Sequence, residues 1–185
     1  IFTDKRKKAE AGSLINCKEI LKSETGLFST FRSTSKLAMI SMMAVDENPK
    51  GRLENALDAY ISLKEFFWTS DYLPMVSMVI ADLEEPEQYS KIAERTKKIY
   101  KLMKNEHPFL TSGEDSVFAA LLALSEMTES QIVSETERCY QLLKPEFFSG
   151  NAVQSLSHVL ALCEGTPESK CHRTMQIYHG LRARG

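Results

Sequence analysis

The chain has 185 residues, 43% of them hydrophobic, and a formal net charge of −2. A chain of this length buries about 70% of the surface it exposes when unfolded, enough for one continuous core. The slightly acidic balance, with a pI near 6.1, argues against a nucleic-acid-binding domain, and no apolar run reaches the ~20 residues that a membrane span needs.

Ile1 is no initiator, so the chain is expected to be a piece of a longer protein. The one basic cluster, Lys5-Arg-Lys-Lys8, reads as a solvated helix start. The first predicted helix runs through Ile15 to Lys22. Its Leu21-Lys22 pair matches a pattern that recurs further on, Y-x-x-[LM]-[KR], opened by Tyr60, Tyr100, Tyr140 and Tyr178. Those tyrosines are 40, 40 and 38 residues apart. A fixed period near 40 marks a protein made of one repeated supersecondary unit.

Each unit contains two predicted helices. The first, helix A, carries an apolar column, Ile40, Val76, Phe118 and Leu156, followed by a small residue, Ser41, Ser77, Ala119 and Ser157. Val45, Ala81, Ala123 and Ala161 follow four residues later, and small residues at this spacing let another helix approach closely. The methionines Met39, Met42, Met43, Met75 and Met78 make the first two A helices apolar nearly all round, which predicts cover on both sides. The second, helix B, ends at the tyrosine motif. Counted from the tyrosine, position −7 is Leu53, Ala93, Val133 and Cys171, position −4 is Ala56, Thr96, Thr136 and Thr174, and position +3 is Leu63, Met103, Leu143 and Leu181. These positions share one helical face and predict a buried stripe.

The connections carry helix signals. Thr128-x-x-Gln131 reads as a capping box, and Thr166-Pro167 as an N-cap followed by proline at the first helical position. The loops from B to A carry an aromatic before a hydroxyl: Phe28-Ser29, Phe67-Trp68-Thr69, Phe109-Leu110-Thr111 and Phe148-Ser149. An apolar residue before a Ser or Thr cap predicts a hydrophobic staple, packed rather than exposed. The predicted fold is therefore all-α: one N-terminal helix and about four stacked antiparallel A–B pairs, α-solenoid-like, in a single domain over residues 1–185.

The residue chemistry points to no reaction. There is no G-x-S-x-G elbow and no Gly-rich phosphate loop. Carboxylate pairs such as Asp46-Glu47, Glu84-Glu85 and Glu114-Asp115 sit at predicted helix ends, where they serve as capping and dipole groups. His158, Cys163, Cys171, His172 and His179 crowd the last repeat, but their spacing fits no zinc pattern. The columns place Cys139 and Cys171 in the core and His172 and His179 at the surface, and neither a metal nor a cofactor is expected. Cys17 and Cys163 lie in the first helix and at the end of the last helix A, and the cysteine usage suits a reducing, cytoplasmic protein. His158 breaks its column of Met42, Met78 and Ala120. It reads as a half-buried histidine bonded to a neighbour, or as a polar group in a groove beside Asn151, Gln154 and Ser155.

Several strings carry a family likeness: Leu27-Phe-Ser-Thr-Phe-Arg32, Ser70-Asp-Tyr-Leu-Pro74, His107-Pro-Phe-Leu-Thr-Ser112, Phe118-Ala-Ala-Leu-Leu-Ala-Leu-Ser125, Leu142-Leu-Lys-Pro-Glu-Phe-Phe148 and Asn151-Ala-Val-Gln-Ser-Leu-Ser157. From about Leu27 onward the chain resembles the bacterial domain of unknown function family 4003. The resemblance implies a bacterial, all-helical protein and carries over no catalytic residue.

The function expected from these residues is a non-enzymatic module that binds a protein or peptide on a helical-repeat surface. Its candidate binding residues lie where the columns turn polar near the starts of the A helices: Arg32, Lys36, Asp71, Tyr72, Asp115, Asn151 and His158. The alternative is an enzyme or small-ligand sensor whose pocket is completed by further segments. It predicts an enclosed pocket with convergent polar groups and perturbed acids or histidines.

Overall fold

The structure, a computed structural model, describes residues 8, 10–27 and 29–184. Among them it is all-α, with nine α-helices and no strand. The helices are α1 (Ala11–Glu24), α2 (Lys36–Met43), α3 (Pro49–Lys64), α4 (Leu73–Leu83), α5 (Tyr89–Glu106), α6 (Asp115–Ala123), α7 (Glu129–Leu143), α8 (Gly150–Ala161) and α9 (Pro167–Arg182). The even-numbered helices are the four A segments and α3, α5, α7 and α9 the four B segments; α1 is the extra N-terminal helix. Lys5, Arg6, Lys7 and Phe28 lie outside the described residues, so the basic cluster apart from Lys8, which is exposed, and the aromatic of the first staple lie there too.

The chain divides into two compact units, residues 1–97 and 98–185. The core of the first gathers Cys17 and Leu21 of α1, Met39, Ile40 and Met43 of α2, Leu53 and Ala56 of α3 and Met78 of α4 around Phe31. The methionines Met39, Met43 and Met78 are fully buried, so they fill the core rather than form a surface. Helix α3 lies closest against α4. Ala56 of α3 and Ser77 of α4 are both small and fully buried. Arg52 of α3 binds the Asp82 carboxylate of α4, Nε to Oδ1 at 2.8 Å, and donates to the Met42 carbonyl at the end of α2. One guanidinium thus ties three helices together.

The second unit has two buried clusters. Ile99 and Met103 pack with Ala119, Leu122, Ala123, Ile132 and Ala161. Cys139, Leu143, Val153, Leu160 and Cys171 form the other. Cys139 and Cys171 are core residues, and burial pushes the Cys139 thiol up to about 12. His172 and His179 are exposed. The Thr128–Gln131 capping box starts α7, and the Thr166 hydroxyl accepts from Ser169 N at the start of α9. Gly165, just before that cap, has φ 103°, and a Cβ there would lie 2.8 Å from Ser169 Oγ, so the turn between α8 and α9 favours glycine.

The tyrosines are packing anchors at the loops that precede A helices. Tyr60 meets Phe31 edge-on at 5.1 Å and lies 3.2 Å from the Thr30 hydroxyl. Tyr140 packs on His107 at 4.2 Å and Tyr178 on Phe147 at 4.9 Å. Tyr100 donates to the Ser112 carbonyl at 3.1 Å.

The loop aromatics depart from expectation. Trp68, Phe109 and Phe148 are 93%, 98% and 103% exposed and staple nothing, whereas Phe67 is buried. Helices α4 and α6 start at Leu73 and Asp115, beyond the loop hydroxyls Thr69 and Thr111. Trp68 and Phe109 therefore do not precede a cap. Ser149 does cap α8 by accepting from Ala152 N, but Phe148 beside it still points to water.

Candidate functional site

The candidate binding residues divide between the two units. In the first, Arg32 donates to Thr25 Oγ1 at 3.1 Å and to the Lys22 carbonyl, satisfying the end of α1. Asp71 accepts from the Ser33 hydroxyl at 2.8 Å and holds the turn before α2. Lys36 opens α2 half-buried, and Tyr72 is exposed at the N-cap of α4. In the second, Asn151 is exposed in the first turn of α8, while Asp115 and His158 are buried and close, His158 Nδ1 to Asp115 Oδ1 at 3.9 Å.

His158 and Gln154 lie one turn apart on α8, on one face, and are 3% and 2% exposed. Both line a cleft. Its walls are Ile99, Leu102 and Met103 of α5 and Ile132 and Val133 of α7, and its mouth carries Glu106, His107, Glu137 and Tyr140. The cleft as a whole has a cavity volume of only about 20 Å³, and its outer part is open to solvent. Gln154 is fixed in orientation. Its Nε2 donates to Thr111 Oγ1 at 2.8 Å, and the Thr111 hydroxyl donates onward to the Met103 carbonyl at 3.2 Å. That leaves Gln154 Oε1 buried with no hydrogen-bond partner among the described residues, and His158 Nδ1 is in the same position. At 3.9 Å the Asp115 oxygen is too far to be that partner. His158 is therefore neither half-buried nor hydrogen-bonded through Nδ1 to a neighbour.

Burial pushes His158 down to about 4, and the nearby His107 opposes its protonation further. The imidazole is neutral at pH 7. Burial raises Asp115 against the Ser112 N–H that it accepts at 2.7 Å. At the mouth, His107 Nε2 lies 3.0 Å from Glu137 Oε2, and Gln141 donates to Glu137 Oε1 at 2.9 Å. An acid and a histidine whose environments shift them, beside a cleft, are the type of arrangement found at binding sites.

The exposed apolar loop residues are the other candidate surface. Leu27, Trp68, Phe109 and Phe148 follow one another at 41, 41 and 39 residues, and Leu27 is 74% exposed. Within the second unit the Phe109 and Phe148 loops touch, since a Cβ on Gly150 would lie 3.3 Å from Leu110.

Comparison with known proteins gives a family and no activity. The model of the family "Protein of unknown function (DUF4003)" matches residues 1–185, and the chain belongs to that family. The uncharacterized protein YeaA of Bacillus subtilis (strain 168) is 28% identical over 167 residues, an alignment that covers 87% of this chain and 50% of YeaA. The chain thus spans about half the length of that relative. No solved structure matches it.

Proposed function

We propose that this member of the DUF4003 family is a non-enzymatic docking module that binds a protein or peptide through the loops leading into its A helices. The observation that supports this is the set Trp68, Phe109 and Phe148, one aromatic in each loop eight or nine residues after Tyr60, Tyr100 and Tyr140 and each 93% or more exposed, with Leu27, 74% exposed, ahead of the first A helix. A scattered exposed leucine is ordinary. Exposure that recurs within a residue of the same place in three loops, each time by an aromatic, marks side chains that gain free energy when a partner covers them. Within the second unit the Phe109 and Phe148 loops lie against each other, which would present these two aromatics to one partner. Tyr72 and Asn151, exposed beside the Trp68 and Phe148 loops, would supply polar contacts at the rim, with Lys36 as a further contact. Arg32 and Asp71 would act by holding the loops in place. All four cysteines are free, which favours the cytoplasm as its location. No helix among the described residues is long and apolar enough to cross a membrane.

The test is a triple substitution, Trp68→Ser with Phe109→Ser and Phe148→Ser, in the protein expressed in its native host. A partner that copurifies stoichiometrically with the parent should be lost from the triple variant while its melting temperature stays unchanged. Retention of that partner by the folded variant would remove the loops from the interface.

A further inference from the structure

We infer that the cleft of the second unit is a binding site for a primary ammonium group carried on a short aliphatic chain. It stands apart from the docking surface, since neither Phe109 nor Phe148 lines it.

The lining selects this chemistry by which hydrogen-bonding roles are already taken. The Ser157 hydroxyl donates to the Val153 carbonyl at 2.8 Å, and the Thr136 hydroxyl to the Ile132 carbonyl at 2.8 Å. Both protons are directed into the backbone, so both oxygens present lone pairs alone. The Gln154 amide is locked by Thr111 with its Oε1 toward no partner among the described residues. His158, neutral at pH 7, adds an Nδ1 that accepts when the proton sits on Nε2. The floor of the cleft is therefore a set of acceptors. Two carboxyl side chains, Glu106 and Glu137, line the cleft, and Asp115 Oδ1 lies 3.9 Å from His158 Nδ1. No Lys or Arg lines the cleft among the described residues. An anion meets no Lys or Arg there, whereas an ammonium brings three N–H donors and the complementary charge.

Shape agrees. The cleft's volume, about 20 Å³ in all, admits one group the size of a water molecule, which an ammonium head is. Ile99, Leu102, Ile132 and Val133 are apolar lining residues, and a methylene chain would leave past them toward the open side of the cleft. The competing occupant is water, which also fits that volume and would satisfy Gln154 Oε1 and His158 Nδ1 without selecting a ligand. A free alkylamine and a lysine side chain share the ammonium chemistry.

The experiment is a methyl-NMR titration of the 185-residue chain, following Ile99, Ile132 and Val133, with n-butylammonium, n-butanol, butyrate and Nα-acetyl-lysine methylamide as probes. Saturable shifts with butylammonium or the lysine amide, about tenfold tighter than with butanol, are expected, and butyrate should give none. Tighter binding of the lysine amide would assign the group to a peptide. Gln154→Leu should weaken ammonium binding about tenfold. His158→Met, a second variant that keeps the volume of the site, should weaken it too. Three outcomes would overturn the inference: equal affinity for butanol, preference for butyrate, or no saturable shift, which leaves water as the only occupant.

Discussion

At the residue scale, His158 decides what the second unit does with pH. Its place in a column of Met42, Met78 and Ala120 made it legible from the sequence as an anomaly. Its partners were not, because His107 lies in a loop outside the repeat columns, and Glu137 shares a column with Leu57, Lys97 and Met175 that has no consistent character. The folded-state value near 4 lies below the ~6.5 of an unfolded histidine. Between those values the unfolded chain binds a proton that the folded chain does not. The stability contributed by the neutral imidazole is fully present above about pH 6.5 and is lost as pH falls to about 4, an effect of about 3 kcal/mol. Asp115 is raised and works in the opposite direction, so the histidine's share is read as a difference. Urea unfolding of the parent and of His158→Met between pH 7 and pH 4 should give a clearly shallower pH slope for the variant. At pH 7 the variant should be as stable as the parent or more so, because it removes an unpartnered buried nitrogen and keeps the volume. A loss of stability at pH 7 would show that His158 is retained for packing.

At the element scale, helix limits were legible where side chain and backbone signals agree, as at Thr128 and Thr166, which cap α7 and α9 as their patterns predict. Thr128→Ala should cost about 1 kcal/mol of unfolding free energy, with an unchanged denaturant slope. The starts of α4 and α6 were not legible, because residues 69–72 and 111–114 lie outside the helices and move each start beyond the hydroxyl. That displacement is what turns Trp68 and Phe109 from expected staples into exposed side chains. Ion pairs between helices also separate by burial. Arg138 to Glu168, 2.8 Å apart, joins α7 to α9 in the open, with both side chains at least half exposed. Arg138→Ala should therefore change stability by less than about 0.5 kcal/mol. Lys170 makes the same helix-to-helix link to Glu135 while buried, and also donates to the Cys163 carbonyl at 3.1 Å. Lys170→Ala should cost more, about 1–2 kcal/mol, because it removes a buried side chain that bonds both Glu135 and the Cys163 carbonyl. Equal losses in a paired melt would refute the distinction.

At the scale of the whole molecule, the all-α class was legible because four copies of one pattern average out the ambiguity of any single helix. The division into units at residues 97 and 98 was not, since the boundary falls inside α5, whose residues follow the same B pattern as the other copies. Function was the least legible level, because repeated columns report packing and a binding surface is written in the residues that packing leaves free. Replacing Trp68, Phe109 and Phe148 by serine should shift the unfolding free energy by no more than about 0.5 kcal/mol each, since none of the three is buried. The most direct test of the docking surface is site-specific photo-crosslinking in native cells, with the reactive residue placed at 68, 109 or 148 and, as a control, at Ile61, which is 64% exposed on α3. Adducts of one size, with one and the same protein, are expected at the three loop positions and none at Ile61. Adducts at Ile61 as strong as those at the loops, or none at the loops, would contradict the docking surface.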